Sequence, residues 1–146
     1  MLQQVLSFFQ IRADIDLDVM QPNQDLSTLT SAILSRLSPV IAAKKPDLII
    51  VQGDTTTAFA GALAGYYQKI PVAHLEAGLR SSNIYSPFPE EINRKLIGSI
   101  GALHFVPTVK ASENLRDEHI TQNVYITGNT VVDALFMGLN LSLIHI

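Results

Sequence analysis

Short, nearly continuous apolar runs alternate along this chain with amphipathic or small-residue stretches, and that alternation predicts an order of elements. Leu2, Val5, Leu6 and Phe9 recur at helical spacing, so the first ten residues read as one face of a helix. Ile15, Leu17 and Val19 then alternate with Asp14, Asp16 and Asp18, a period of two that predicts a short strand near a sheet edge. MQPNQ (Met20 to Gln24) reads as a turn. From Leu26 to Ala43, the apolar residues Leu26, Leu29, Ile33, Leu37, Val40 and Ile41 line one helical stripe. It ends before Pro46, because a residue preceding proline is pushed out of the helical region.

Asp47 to Val51 is almost wholly apolar, the mark of a strand covered on both faces. Gly53 gives the chain room to turn, and Thr55 to Lys69 is a helix whose Ala58, Ala60, Gly61, Ala62, Ala64 and Gly65 permit close packing. The cycle repeats: Pro71 to Leu75 strand, Glu90 to Ile100 helix with Pro89 at its first position, and Leu103 to Val106 strand. Ala111 to Glu118 helix, Val124 to Thr127 strand and a helix over Thr130 to Gly138 follow. Strands alternating with helices at this spacing predict right-handed crossovers and an α/β fold with a doubly wound parallel sheet.

At 146 residues and 47% apolar content, the chain is long enough for a full hydrophobic core. It opens on a helix with no strand before it and closes on the apolar LNLSLIHI (Leu139 to Ile146), so both ends read as cut. Ten basic and thirteen acidic residues give a net charge of -3 with no basic block, which argues against nucleic acid as a partner. Without cysteine there is neither disulfide nor thiolate chemistry, and the scattered histidines have no zinc spacing. No signal-peptide pattern and no apolar stretch of roughly 20 residues is evident, so the expectation is a soluble cytoplasmic protein with no membrane contact.

Asp54 and Glu76 each follow an apolar run, which places them on the carboxyl rim of the sheet, where open α/β folds bind ligands. SPFPEEINR (Ser86 to Arg94) adds Glu90 and Glu91 in a first helical turn, so three carboxylates are expected to converge on one crevice. Asp54 suits a sugar hydroxyl, and the amides after it an anion; it equally reads as a helix cap, worth about 0.5 to 2 kcal/mol. Glu76 reads either as a functional acid or as the ion-pair partner of Arg80, and His74 either as a hydrogen-bonded core histidine or as a ligand contact. Glu90, Asn93 and Arg94 share one helical face, and Glu91 can pair with Lys95; such pairs contribute about 0.2 to 0.5 kcal/mol each. Asn129 stands at another helix start. No GxGxxG marks a dinucleotide site.

Taken together, QGDTTTAFAGALAGYYQKIPVAHLEAGLR (Gln52 to Arg80), YSPFPEEINR (Tyr85 to Arg94), LHFVPT (Leu103 to Thr108) and YITGNTVVDAL (Tyr125 to Leu135) closely resemble the non-hydrolysing UDP-N-acetylglucosamine 2-epimerases. The resemblance runs from Met1 to about Phe136. It implies the N-terminal, Rossmann-like half of a two-domain enzyme of the glycosyltransferase B type, with residues 1–138 as a partial domain and 139–146 as a truncated or non-native tail. It implies Asp54, Glu76 and Glu90 as the catalytic acids, supported by His74, Arg80, Asn93, Arg94 and Asn129, with no cofactor and no metal. The implied reaction removes the C2 proton and expels UDP to give 2-acetamidoglucal, then returns UDP and delivers a proton to the opposite face. The implied parent is a homodimer interconverting UDP-N-acetylglucosamine and UDP-N-acetylmannosamine, and the fragment alone is expected to be inactive. Alternatives are a glycosyltransferase of the same architecture, a hydrolysing epimerase, or a Rossmann-like binding domain whose rim acids are structural.

Overall fold

A computed structural model describes residues 2–143 of the protein. Among them the elements run α1 (Leu2–Phe8), α2 (Leu26–Lys44), β1 (Ile49–Gln52), α3 (Thr56–Tyr67), β2 (Val72–Leu75), α4 (Glu90–Ile100), β3 (Leu103–Val106), α5 (Val109–Asp117), β4 (Val124–Ile126) and α6 (Thr130–Leu143). The chain divides into two compact units. One is Val19–Gly128; the other joins the residues up to Asp18 with those from Asn129 onward.

In the larger unit the four strands form one parallel sheet in the order β1-β2-β3-β4. Val51 is opposite His74, His74 opposite His104, and His104 opposite Val124. The small residues of α3 set its closeness to this sheet: a Cβ placed on Gly65 would stand 2.9 Å from Ile49 Cδ1 and 3.1 Å from Val72 Cγ2. Val51, Ala58, Ala62, Val72 and Ile97 form one part of the core, and Ala77, Val106, Ala111 and Leu115 form another. Between them the chain leaves β2 through Gly78, at φ 83°, so near α5 that an added Cβ would collide with the Ala111 carbonyl. Gly78→Ala is therefore expected to destabilise the full-length protein by about 2 kcal/mol, from overpacking and an unfavourable backbone together. A urea midpoint unchanged by the substitution would contradict this.

Several expectations are corrected. Asp14 to Val19 form no strand: the Asp16 carboxylate takes the Asp18 amide at 2.9 Å, and Asp18 turns to φ 45°. A short acidic side chain has there offered the backbone a local partner in place of a ladder. Cover on both faces holds for β2, whose Val72, Ala73 and His74 are buried, but not for β1, where Ile50 is 61% exposed. Strand β1 lies at the end of the sheet order, and its Ile50 face is uncovered among the described residues. Pro89 is the residue before α4 rather than its first helical position. By length and composition, α2 is apolar enough to cross a bilayer, at 19 residues and mean hydropathy 1.3, contrary to the sequence expectation. Here it instead packs on α3, burying Ile33 and Ile41 and receiving at Ser38 O a hydrogen bond from Gln68 Nε2.

In the smaller unit, Gly138 of α6 faces the rings of Phe8 and Phe9, which themselves meet edge to face at 5.1 Å. Helix α6 continues past Gly138 to Leu143, through the start of the apolar tail; Ile144 to Ile146 lie outside the described residues.

Candidate active site at the carboxyl rim of the sheet

The rim is shaped first by the backbone. Gly53 ends β1 at φ 72°, and its amide donates to Leu75 O at 3.0 Å, which ties the turn after β1 to the end of β2. From the other side, His74 donates its Nε2 proton to Gly53 O at 2.7 Å. His74 is 1% exposed, and burial pushes its imidazole down from 6.5 to about 4, with the nearby His104 and Arg80 acting in the same direction against the Gly53 carbonyl. At neutral pH it is an uncharged ring that holds the turn in place. Of its two readings, the hydrogen-bonded core position is the one the structure shows.

Asp54 does not cap α3. That position belongs to Thr55, whose hydroxyl accepts from Ala58 N at 3.1 Å. The Asp54 side chain is thereby released to meet α4, where Arg94 places both Nε (2.8 Å) and Nη2 (2.6 Å) on its Oδ2. Asn93 Nδ2 donates to the Asp54 backbone carbonyl at 2.8 Å, so two neighbouring residues of α4 fix one residue of the β1 rim.

Glu76, just beyond β2, adopts φ 64°. For a non-glycine residue this conformation costs on the order of 1 to 3 kcal/mol and concentrates at functional sites. The side chain is half-buried, and a Cβ on Gly53 would lie 4.0 Å from Glu76 Oε2, which places the carboxylate over the β1 turn. The expected Glu76–Arg80 pair does not form. Arg80 is committed to Glu118 at the end of α5, through Nε at 2.8 Å and Nη2 at 2.6 Å, while Nη1 donates to Leu79 O. Glu118 lies 38 residues away, and its carboxyl is held below the usual range chiefly by that bond. Glu76 is left without a hydrogen-bond or ion-pair partner among the described residues, as is Glu90 in the first turn of α4.

The sequence reading undervalued Glu91. Its pairing with Lys95 is absent, because Lys95 turns to Glu118 at 3.6 Å. Glu91 is fully buried; its Oε2 accepts from Ser81 N at 2.9 Å and Arg94 Nη1 at 3.0 Å. Burial alone raises its carboxyl, but these donors outweigh burial and hold it below the ordinary carboxylate range. The Glu-x-x-Arg spacing in PEEINR was the available signal. Asn129 lies in the smaller unit, where its Oδ1 accepts from Val131 N at 3.0 Å at the start of α6.

The larger unit thus brings Asp54, Glu76, His74, Asn93 and Arg94 to one rim, with the Glu76 carboxylate unengaged and that of Asp54 tethered through one oxygen, while Glu90 stands in the first turn of α4. Such a set can exchange protons with a bound molecule, beside the amides opening α3. A family model described as UDP-N-acetylglucosamine 2-epimerase matches residues 1–145 of this chain. The chain belongs to that family.

Among epimerases of the family, the chain is 54% identical over 140 residues to the UDP-N-acetylglucosamine 2-epimerase of Neisseria meningitidis serogroup A, covering 95% of this chain and 38% of that protein. It is similar to a crystal structure of the N. meningitidis UDP-GlcNAc 2-epimerase bound to UDP-GlcNAc, with TM-score 0.90 and 53% identity, over 96% of this chain and 38% of the other. The UDP-GlcNAc 2-epimerase of Methanocaldococcus jannaschii, in complex with UDP-GlcNAc and UDP, gives TM-score 0.86 and 36% identity over 92% of this chain and 37% of that one. This epimerase-family chain therefore spans well under half the length of the relatives it matches, and its parallel α/β sheet is the Rossmann-like layer the sequence led us to expect.

Proposed function

We propose that the full-length protein containing this chain interconverts UDP-N-acetylglucosamine and UDP-N-acetylmannosamine without hydrolysing them. The observation that carries the reading is the unengaged Glu76 carboxylate over the turn where Asp54 is tethered to α4, the helix that Glu90 opens, in a chain of this family. A C–H proton beside an acetamido group is weakly acidic, so its removal needs a positioned carboxylate and a stabilised diphosphate leaving group. Glu76 and Glu90 act beside the sugar and Asp54 orients it or exchanges a proton, while UDP departs to leave 2-acetamidoglucal and then returns. The route uses no nicotinamide. A cytoplasmic homodimer that supplies precursors of bacterial surface polysaccharide completes the proposal, and its support is the family resemblance.

Run in deuterated water, the full-length enzyme should place deuterium at C2 of both UDP-sugars. Product formed without solvent exchange at that carbon would overturn the elimination route, and released free N-acetylmannosamine would mark a hydrolysing enzyme instead.

The 146 residues expressed alone should neither epimerise nor bind UDP tightly, because closing a cleft around a departing diphosphate requires a facing wall that excludes water. Calorimetric titration with UDP tests this: micromolar affinity would move the main nucleotide contacts into the segment described here.

A further inference from the structure

We propose that Glu91 is a positioning residue of the reacting site: through Arg94 it determines which oxygen of Asp54 is available to a bound molecule. The inference rests on the reading above, that Asp54 belongs to that site, but the geometry behind it does not depend on the reaction.

A fully buried carboxylate is costly unless its charge is met by specific partners. Glu91 offsets that cost through one oxygen, while Oε1 is buried without a hydrogen-bond partner among the described residues. Oε2 takes the Ser81 amide and Arg94 Nη1, so a single atom joins the segment leaving β2 to the guanidinium of α4. Of the other two nitrogens of Arg94, Nε donates to Asp54 and Nη2 stands in ion-pair contact with it. Both converge on Oδ2.

That convergence is unusual for the pair. A guanidinium and a carboxylate free to choose settle fork to fork, with two parallel bonds to the two oxygens. Here Nη1 is held by Glu91, so the plane of the guanidinium is set by two carboxylates at once, and Asp54 Oδ1 has no protein partner among the described residues. Asn93, donating to the Asp54 carbonyl, fixes the backbone from which that carboxylate projects. The remaining charges near Glu91 are Arg80, Lys95, Asp117 and Glu118, which line with it a cavity of about 150 Å³; Arg80 and Lys95 both pair with Glu118. None of these reaches Arg94. Glu91 is the side chain that restrains it.

Neutralising Glu91 by Glu91→Gln removes the anchor on Nη1 and frees the guanidinium to close over both oxygens of Asp54. In the full-length protein, kcat is expected to fall about 10- to 100-fold, the scale on which a small misplacement of a reacting group acts. KM for UDP-N-acetylglucosamine should stay within about threefold, since neither Glu76 nor Glu90 is disturbed. A crystal structure of the variant should show Arg94 displaced from its position on Oδ2 alone. A purely structural Glu91 would give the opposite pattern: a lower melting temperature, with kcat per folded molecule unchanged and Arg94 still on Oδ2. That result overturns the proposal. Should Glu91→Gln fail to fold, Arg94→Lys keeps the charge but replaces three donor nitrogens in one plane by a single nitrogen, and must show the same fall in kcat at near-constant KM; wild-type kcat in that variant also overturns it. If the wild-type protein proves not to epimerise while the Glu91→Gln structure shows the displaced guanidinium, the proposed function fails and the positioning stands.

Discussion

Replacing Glu76 or Glu90 by glutamine in the full-length protein is expected to slow epimerisation by about 10²- to 10⁴-fold, the usual scale for a positioned general acid or base. Neither change should cost much stability, because neither carboxylate makes a hydrogen bond or ion pair among the described residues. That combination separates a functional acid from a structural one. Asp54→Asn belongs to the same series but differs in kind, since it also weakens the bonds from Arg94. The test is steady-state kinetics beside thermal unfolding for all three variants. A loss below threefold with an intact fold would relegate that residue to structure.

A second expected result concerns acid. The folded His74 titrates near 4 where a free histidine titrates near 6.5, so the unfolded chain takes up the proton first as pH falls. Stability from this group is fully present above about 6.5, declines through the window down to about 4, and does not change further below it. The displacement corresponds to on the order of 3 kcal/mol, from about 1.4 kcal/mol for each pH unit. His104 is lowered by burial in the same direction and adds to the slope. Glu91 and Glu118, held below the ordinary carboxylate value of 4.5, lose their contributions only as pH falls beneath it, so their slope lies to the acid side. Urea unfolding of the full-length protein at intervals from pH 7.5 to pH 4 should show the decline. In His74→Gln, whose amide can still donate to Gly53 O, most of the slope between 6.5 and 4 should vanish; an unchanged slope would assign it to other groups.

The parallel order of elements was legible because apolar runs of strand length and small-residue or amphipathic stretches of helix length differ in period. Glu90–Ile100 and Leu103–Val106 have the bounds their pattern predicts. Alternation misled at Asp14 to Val19, where the Asp16 side chain bonds the local backbone and no neighbouring strand among the described residues supplies a ladder. At the rim, position was legible and partnership was not. GDTTT offers two adjacent cap candidates, and local pattern cannot tell that Thr55 takes the amide while Asp54 crosses to α4. Arg80 lies four residues from Glu76, yet its partner is Glu118, brought near only by the stacking of α5 beside the sheet. Lys95 at i, i+4 was the partner in view for Glu91, which is instead fully buried. Its burial depends on the Ser81 segment folding over it, a non-local event.

Helix α4 carries four ionisable residues within six positions, and three of them reach different neighbours: Glu91 reaches Ser81, Arg94 reaches Asp54, and Lys95 reaches Glu118. Successive helical residues are rotated by about 100°. Inserting or deleting one residue between Glu90 and Lys95 would therefore turn some of these groups away from their partners while leaving the others aimed, and no compensating movement of the helix could restore all of them. The loop before it is exposed from Ser82 to Phe88 but is tied on both sides, by Ser81 Oγ to the carbonyls of Asn83 and Ser86 and by Glu91 N to Pro87 O. Length variation among related chains should be excluded from the first turns of the helix.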